Sequence, residues 1–431
     1  MTETDLMVMN WMQGRHAGNE PSAAPEDSVR ASTALSAASR SKSVFENEDT
    51  AFYESLMKNV PAELIQQLRT TNFDAFEQST ENQIAVSVHV MMNHESCAEF
   101  VRMSVPPTLM LQFVVACEAE YPRNPFHCFS HAVDVVVTSA LFMTRIEASN
   151  FLQGTAQFAV LVAGFGHDLG HPALNNAFLI ETANELALTY NDRSPLENFH
   201  CCKLFQILSE ADNNILRSLK KEAYKDVRKQ IIEAILHTDV IKHNEMVKEL
   251  NLLYQMRSEA FDSFEPTEEG IEILTGQSQM MLNAILHTAD VGNPMKPWQI
   301  AQKLAYLCVD EFFAQGDQEK ELGIPVQMLN DREKVNRANS QIGFIEFMVF
   351  PLVEAVVQIF PQLDFLSFHI GQNLKSWAKL WETEVQPPQD QLEKVKQRVS
   401  KVFHRSENLL QDQVRHVTTE VKAEKRALQL P

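Results

Sequence analysis

Glycine is scarce in this chain, with 13 among 431 residues. Turn-rich β architectures rely on glycine, because their tight turns need backbone conformations with positive φ that other residues adopt at a cost. Long stretches with apolar residues at helical spacing are present instead, for example residues 231–236 and 281–286. The sequence therefore predicts an all-α fold.

No two cysteines are spaced as a Cys-x-x-Cys pair, so the cysteines indicate neither a zinc knuckle nor a redox motif. The six cysteines are Cys97, Cys117, Cys128, Cys201, Cys202 and Cys308. Unpaired thiols of this kind are typical of a reducing compartment.

Basic residues are also few, and no long basic stripe is present. The formal net charge is −20 and the pI is about 5.2, which argues against a nucleic-acid-binding protein. An overall negative field repels anions, so a phosphate-bearing substrate would need the positive charge of a bound metal.

Membrane and export signals are absent from the pattern as well. No uninterrupted apolar span reaches about 18 residues, and the first residues lack the basic start and apolar core of a signal peptide. We expect a soluble, cytoplasmic protein with no membrane span.

Composition divides the chain into four parts. Residues 1–50 are rich in Ala, Ser, Glu and Pro and are predicted to be a disordered or loosely docked tail. Residues 51–71 are a helical lead-in, residues 72–385 form the main domain, and residues 386–431 are predicted to be a charged helical tail facing solvent outside that domain. The tails could hold a second copy of the chain or a regulatory partner.

His167, Asp168 and His171 follow an apolar run, residues 158–165, that predicts a buried helix. Imidazole and carboxylate groups delivered into a core are costly unless something binds them, and they are ordinary ligands of zinc, manganese and magnesium. The alternative is a salt link at the helix end with two satisfied histidines.

Two further apolar runs end in similar polar tips. One carries His237, Thr238 and Asp239, and the other carries His287 and Asp290. Three such tips are hard to explain by helix capping alone, so we expect the helix ends to converge on a common pocket, as in metal sites at the centre of helix bundles.

His127 and His131 are four residues apart, so in a helix beginning after Pro125 they would share one face. Such a pairing more often reflects two packed histidines than metal ligation or catalysis.

Three more positions have structural as well as functional interpretations. Glu197 follows a predicted cap at Ser194 and Pro195, where it would complete a capping box. Gln341 and Phe344 share a helix face and can line one cavity, although a core phenylalanine beside a surface glutamine explains the pattern equally simply.

Seven short motifs follow one another along the chain. They are His127-x-x-x-His131-Ala-Val-Asp134-Val, His167-Asp168-x-x-His171-Pro, Tyr190-Asn-Asp-x-x-x-Leu-Glu197-Asn, Thr238-Asp239, His287-x-Ala-Asp290, Gln-Gly-Asp317 and Ser340-Gln341-Ile-Gly-Phe344-Ile. Together, from about Asn72 to about Trp381, they resemble the catalytic domain of the class I 3′,5′-cyclic-nucleotide phosphodiesterases, which are HD-type metal-dependent phosphohydrolases. One such motif is a weak signal, but seven in order are highly specific.

The resemblance implies a compact bundle of about sixteen helices around a central two-metal pocket. It implies that His131, His167, Asp168 and Asp290 hold a first metal, usually Zn²⁺, with Asp168 bridging to a second, usually Mg²⁺ or Mn²⁺. It also assigns the remaining positions: His127 as general acid; His171, Glu197 and Thr238 as groups that hold metal-bound waters; and Gln341 and Phe344 as purine-binding residues.

The reaction implied is hydrolysis of a cyclic nucleotide (cAMP, cGMP or both) to a nucleoside 5′-monophosphate by a metal-bridged hydroxide, which would terminate a cyclic-nucleotide signal. We expect a nearby carboxylate, Glu197, to keep His127 protonated. Asn293 lies near a position associated with cAMP use, whereas residues 190–198 resemble a cGMP-preferring branch, so base preference stays open.

Five positions depart from the family's pattern: Cys128, Gly170, Ala173, Phe199 and Cys308. They concern the surroundings of the metals and the purine, not the predicted ligands or the acid. The alternatives are a nucleotide-binding or scaffold pseudo-phosphodiesterase and a phosphohydrolase acting on non-cyclic nucleotides.

Overall fold

The computed structural model describes residues 55, 60–95, 97–261, 264 and 267–427, with side chains as far as residue 410. The predicted N-terminal tail, residues 1–50, lies outside this part of the chain. Within it there are helices and no strands, which confirms the all-α prediction.

Seventeen helices are present in the described residues, against about sixteen expected. They are α1 (Ala62–Gln67), α2 (Thr80–Asn93), α3 (Ala98–Ser104), α4 (Pro107–Glu120), α5 (Phe129–Arg145), α6 (Gly154–Gly166), α7 (Asn176–Glu181), α8 (Glu185–Tyr190), α9 (Pro195–Ser209), α10 (Lys221–Leu236), α11 (His243–Met256), α12 (Glu268–Gly276), α13 (Ser278–Asp290), α14 (Trp298–Glu321), α15 (Arg337–Ile359), α16 (Phe365–Val385) and α17 (Gln389–Ala427).

Several helices begin where the local sequence supplies a cap. The Ser79 hydroxyl accepts the Asn82 N–H at 3.3 Å before α2, and the Thr267 hydroxyl accepts the Gly270 N–H at 3.1 Å before α12. Each cap satisfies an N–H group that has no partner within the helix, which fixes where the helix starts.

Helix α6 is the centre of the core. Its residues from Ala156 to Gly166 are all buried, as its apolar sequence predicts. It packs closely against α5, since a Cβ at Gly164 would lie 2.9 Å from a methyl carbon of Val136. The close approach of these two helices brings the residues that follow α6 next to His131 of α5.

Helix α15 contains a π-helical turn, Ile345–Val349, directly after Phe344. By length and composition α15 could cross a membrane, although Glu346 and Glu354 interrupt its apolar sequence, but 67% of its most apolar window is buried inside the protein. The buried surface is that of a core helix. π turns often occur at functional sites.

The C-terminal helix α17 differs from the prediction of a solvent-facing tail outside the main domain. Val395, Val399 and Val402 are buried, and α17 packs along α16. Arg398 also pairs with Glu346 of α15 at 2.6 Å. These three valines form an apolar stripe at helical spacing within an otherwise charged sequence, and their burial holds this part of α17 against the domain.

A buried ion pair ties α5 to the loop after α13. Lys296 Nζ lies 2.6 Å from Asp134 Oδ1 and 3.1 Å from Thr138 Oγ1. Asn373 of α16 donates to the carbonyls of Lys296 and Pro294 at 2.7 and 2.8 Å. The pair therefore helps to hold that loop against the helix that carries His131.

We expect Lys296→Met to lower the free energy of unfolding by about 3–5 kcal/mol, because it leaves the Asp134 carboxylate buried without its partner. The matched control is Lys303→Met: Lys303 pairs with Asp74 at 2.5 Å but its side chain is 29% exposed, so a loss below about 1 kcal/mol is expected. Urea denaturation of both variants measures the difference, and equal losses would contradict this interpretation.

Candidate metal centre and nucleotide pocket

Four predicted ligands converge from three helices. His131 lies in the first turn of α5, His167 and Asp168 follow α6, and Asp290 is the last residue of α13. His131 Nε2 is 3.2 Å from His167 Nε2 and 3.0 Å from Asp290 Oδ1. Asp168 Oδ2 is 3.3 Å from His167 Nε2 and 3.6 Å from His131 Nε2.

These separations fit one divalent metal. Four donors about 2.0–2.2 Å from a tetrahedral zinc ion lie roughly 3.3–3.6 Å from one another. His167 Nδ1 donates to the Gly164 carbonyl at 2.9 Å, so Nε2, which faces the cluster, is the atom that would bind a metal in place of a proton. Two imidazoles and two carboxylates with their donor atoms facing one point are a suitable ligand set.

The carboxylates of the cluster remain ionised. Burial would raise the pKa of Asp168 and of Asp290, but the neighbouring imidazole of His167 outweighs burial and lowers the pKa of both. The same carboxylates raise the pKa of His167 well above its usual value against the effect of burial. The cluster is thus a concentration of charges that a metal dication can neutralise.

His127 lies just before α5, which begins at Phe129, so it does not share a helix face with His131 as predicted. Its Nδ1 is 2.5 Å from Glu311 Oε2, and Glu311 Oε1 accepts the N–H groups of Phe126 and His127 at 2.7 and 2.9 Å. Burial alone would lower the pKa of His127, but Glu311 raises it above the usual value. The carboxylate that favours the protonated form of His127 is therefore Glu311 of α14, and the assignment of Glu197 to that role was wrong.

Glu197 has a different environment. It lies in the first turn of α9 and accepts two hydrogen bonds from Asn176 Nδ2, at 2.9 and 3.2 Å. Ser194 has a left-handed backbone and makes no side-chain cap, so the predicted capping box is absent. Burial, followed by the nearby charge of Asp239, raises the pKa of Glu197 to about 8.

His171 and His200 form a stack with His127. The His127 and His171 ring centroids are 4.1 Å apart, and those of His171 and His200 are 5.6 Å apart. His200 Nδ1 donates to the Leu169 carbonyl at 2.7 Å, and its Nε2 is 3.8 Å from Asp168 Oδ1. His200 and Glu311 are site residues that the sequence did not reveal as such, although His200 is three residues after Glu197.

A cavity of about 180 Å³ opens beside the cluster and contains the other predicted residues. Its lining includes His127, Thr238, Asp290, Asn293, Gln341, Phe344 and Cys308. Gln341 is 8% exposed, and its side chain makes no hydrogen bond to the described residues. One cavity is thus lined by His127, by a candidate metal ligand, and by an aromatic ring and an amide able to hold a planar base.

Comparison with known proteins agrees with this geometry. A family model described as 3′5′-cyclic nucleotide phosphodiesterase matches residues 126–370. The chain belongs to this family. Its members are metal-dependent, in agreement with the His and Asp cluster.

Two curated relatives illustrate the similarity. The human "High affinity cGMP-specific 3′,5′-cyclic phosphodiesterase 9A" is 31% identical over 303 residues, which is 70% of this chain and 48% of the relative. The Dictyostelium discoideum "3′,5′-cyclic-nucleotide phosphodiesterase regA" is 30% identical over 313 residues, covering 72% of this chain and 38% of the relative. The chain thus spans half or less of the length of these relatives.

A solved structure supports the fold. The phosphodiesterase domain of the RhoPDE fusion protein from the choanoflagellate Salpingoeca rosetta covers 78% of this chain and 100% of its own, at 31% identity and a TM-score of 0.69. The described helices are therefore those of a phosphodiesterase catalytic domain.

Two departures from the phosphodiesterase pattern contact each other. Gly170 has φ +74°, and a Cβ at this position would lie 2.9 Å from the ring of Phe199. An acidic side chain at position 170 would need both a strained backbone and the space that the Phe199 ring occupies.

We expect Gly170→Asp to lower the free energy of unfolding by about 1–2 kcal/mol for the left-handed backbone, plus a further cost for the ring contact. Gly323→Asp is the control, because Gly323 has φ +68° with open space around it. In a double-mutant cycle with Phe199→Ala, thermal unfolding should show coupling for Gly170 and none for Gly323. Equal losses without coupling would count against the contact.

Proposed function

We propose that this protein hydrolyses 3′,5′-cyclic purine nucleotides to nucleoside 5′-monophosphates. The observation that carries the proposal is the lining of one cavity beside the candidate metal centre, which includes His127, Asp290, Gln341 and Phe344. An acid, a metal ligand and two groups suited to a purine are needed together for this reaction and for few others.

His131, His167, Asp168 and Asp290 would hold the first metal, and Asp168 would also contact the second. We propose zinc for the first site because of its two imidazoles, and Mg²⁺ or Mn²⁺ for the second because such ions keep several waters. When bound, the two cations supply positive charge for the phosphoryl oxygens and lower the pKa of a coordinated water. His171, Glu197 and Thr238 would orient such waters.

His127 acts on the leaving group. A water that has lost one proton attacks as hydroxide: as its oxygen bonds to phosphorus, the bond from phosphorus to the ribose 3′-oxygen breaks, and His127 donates a proton to that oxygen. The proton that the water released returns His127 to its protonated form by way of solvent. An alkoxide is a poor leaving group, so this proton transfer lowers the barrier. Glu311 supports the step, since its hydrogen bond to His127 Nδ1 raises the pKa of the imidazole and leaves Nε2 to donate the proton.

Gln341 and Phe344 bind the base, the ring by stacking and the amide by hydrogen bonding. Because no described residue fixes the Gln341 amide, it can present either its oxygen or its nitrogen to the purine. We therefore propose that both cAMP and cGMP are substrates. Asn293 and Cys308 line the same cavity and would also lie near the nucleotide.

The test is a substrate panel with the purified chain and added zinc and magnesium or manganese. We expect hydrolysis of cAMP and cGMP, little action on non-cyclic nucleotides, and no turnover by Asp290→Ala, whose fold is checked by circular dichroism. Turnover of non-cyclic nucleotides alone would identify another phosphohydrolase, and nucleotide binding without any turnover would identify a pseudo-phosphodiesterase.

A further inference from the structure

The Gln-Gly-Asp317 motif, to which the proposed reaction gives no role, lies in α14 where that helix meets the loop of residues 322–336. A Cβ at Gly316 would collide with the backbone of Asn330, so glycine is needed for the helix and the loop to approach this closely. Leu329, in the same loop, lines the nucleotide cavity. Gly316 therefore lets α14 pack against the loop that forms one wall of the cavity.

Glu319 lies at the centre of this contact and is completely buried. Its Oε1 accepts hydrogen bonds from Gln315 Nε2 at 2.7 Å and from Asn330 Nδ2 at 3.0 Å. Its Oε2 accepts the backbone N–H of Gln327 at 2.8 Å. A buried carboxylate is costly unless hydrogen bonds satisfy it, and these three bonds join Glu319 to its own helix and to two points of the loop.

Backbone groups fix the direction of these hydrogen bonds. Gln315 Oε1 accepts the backbone N–H of Asn175 at 2.9 Å. Because a backbone N–H can only donate, Nε2 is the Gln315 atom that faces Glu319. The Gln327 N–H is also a backbone donor, so Glu319 must accept there. Turning the Gln315 amide round would place two donors together at Asn175 and two acceptors together at Glu319.

Both glutamines that contact Glu319 also hold Asn175, the residue before α7. Gln315 accepts the Asn175 backbone N–H, and the side-chain amides of Gln327 and Asn175 pair at 2.9 and 3.3 Å. The Asn175 side chain in turn caps α7 by accepting the Phe178 N–H at 2.9 Å. Glu319 thus acts on the start of α7 through two intermediates.

The next residue, Asn176, holds Glu197 at the metal end of the site. Its Nδ2 donates to both carboxyl oxygens of Glu197, and its Oδ1 accepts the Leu196 N–H at 3.0 Å. A shift of Asn175 would therefore move the group that orients Glu197. A continuous path of hydrogen bonds and one peptide link leads from Glu319 to a residue that would orient metal-bound water.

We propose that Glu319 is a positioning residue for Glu197. By fixing Asn175, it fixes the neighbouring Asn176 and so the direction of the Glu197 carboxyl group. The inference rests on the proposed function, because it uses the role given there to Glu197. Since Glu319 also holds the loop that carries Leu329, it fixes the base side and the metal side of the cavity together.

Glu319→Gln tests the proposal at nearly constant volume. The new amide oxygen can keep the two side-chain bonds made at Oε1, but the amide nitrogen then faces the Gln327 N–H, one donor against another. Asp317→Asn is the matched control. Asp317 belongs to the same motif and pairs with Arg332 of the same loop, but both of these side chains are nearly half exposed. A role in holding the loop alone predicts similar results for the two variants.

Hydrogen–deuterium exchange reads the effect without turnover. In Glu319→Gln we expect faster exchange in residues 324–331, which contain the Gln327 N–H, and also in residues 173–178, which Glu319 reaches through other side chains. Asp317→Asn should leave residues 173–178 unchanged. Gln327→Ala removes the amide pair with Asn175 alone and should also speed exchange there, so it decides the matter if Glu319→Gln does not fold. Unchanged exchange in residues 173–178 would overturn the proposal.

Steady-state kinetics completes the test with a double-mutant cycle. Glu319→Gln should lower kcat for cAMP by about tenfold through the misplaced group. In an Asn176→Ala background the same substitution should lower kcat by less than about twofold, because the hold on Glu197 is already lost. Equal losses of kcat in both backgrounds would overturn the proposal. If the wild type hydrolysed neither cyclic nucleotide, the proposed function would fail, while the exchange measurement would still test the link from Glu319 to Asn175.

Discussion

Replacing Asp168 with Asn should lower kcat/KM for cyclic nucleotides by roughly three orders of magnitude, equivalent to about 4 kcal/mol. Asp168 Oδ2 faces the Nε2 atoms of His131 and His167, while Oδ1 points toward His200. The neutral amide of Asn keeps the shape of the Asp168 side chain but removes the negative charge that both of its oxygens share. Because Asp168 is the proposed bridge, its loss affects both metals.

His171→Asn is the matched control. His171 stacks on His127 and His200, and its Nδ1 accepts the Ala173 N–H at 3.0 Å, so it lies outside the four-ligand cluster. Metal analysis after dialysis should find the first metal retained in His171→Asn and both metals weakened in Asp168→Asn. An Asp168→Asn enzyme with normal metal content and turnover would remove the basis of the site.

Replacing Glu311 with Gln should move the alkaline limit of activity to lower pH. In the wild type, Glu311 raises the pKa of His127 against burial. Without that carboxylate, burial is opposed only by the more distant charges of Asp168 and Asp290, so the pKa falls. The proton donor is then lost at a lower pH, and kcat near neutral pH should drop by up to about two orders of magnitude.

The free energy of unfolding should also depend on pH through the charge of His127. A histidine whose folded pKa lies above its unfolded value contributes stability that is fully present below the unfolded pKa and is lost as pH rises through the folded pKa. The wild type should therefore gain more stability on acidification through that range than Glu311→Gln does. His127→Gln is the control, because it lacks the ionising ring.

Identical pH profiles of activity in the wild type and Glu311→Gln would show that Glu311 does not set the charge of His127.

The metal cluster was predictable from sequence because each ligand lies at the end of an apolar helix or close to a strong motif. The run before His167 is a buried helix, as its composition indicates, and the tip ending in Asp290 reaches the same point. Local pattern thus indicated the polar tips of these helices, and the resemblance to a family implied the four ligands, His131 included.

The partners of those residues were not predictable in the same way. Glu311 is 184 positions from His127 and lies within an ordinary amphipathic helix, so no local spacing signals the contact. Glu197, in contrast, occupies a recognisable motif but is held by Asn176. Lys296 and Asp134 also meet across 162 positions. Such contacts depend on how helices pack, which sequence periodicity does not specify.

The proposed hydrolysis is tested most directly by the identity of the reaction product. Purified protein with zinc and magnesium is incubated with cAMP or cGMP in water enriched in oxygen-18, and the product is followed by phosphorus-31 NMR and mass spectrometry. We expect a nucleoside 5′-monophosphate with one labelled phosphate oxygen, and no product from His127→Gln on the same timescale. A 3′-monophosphate, or no hydrolysis by folded protein with both metals bound, would contradict it.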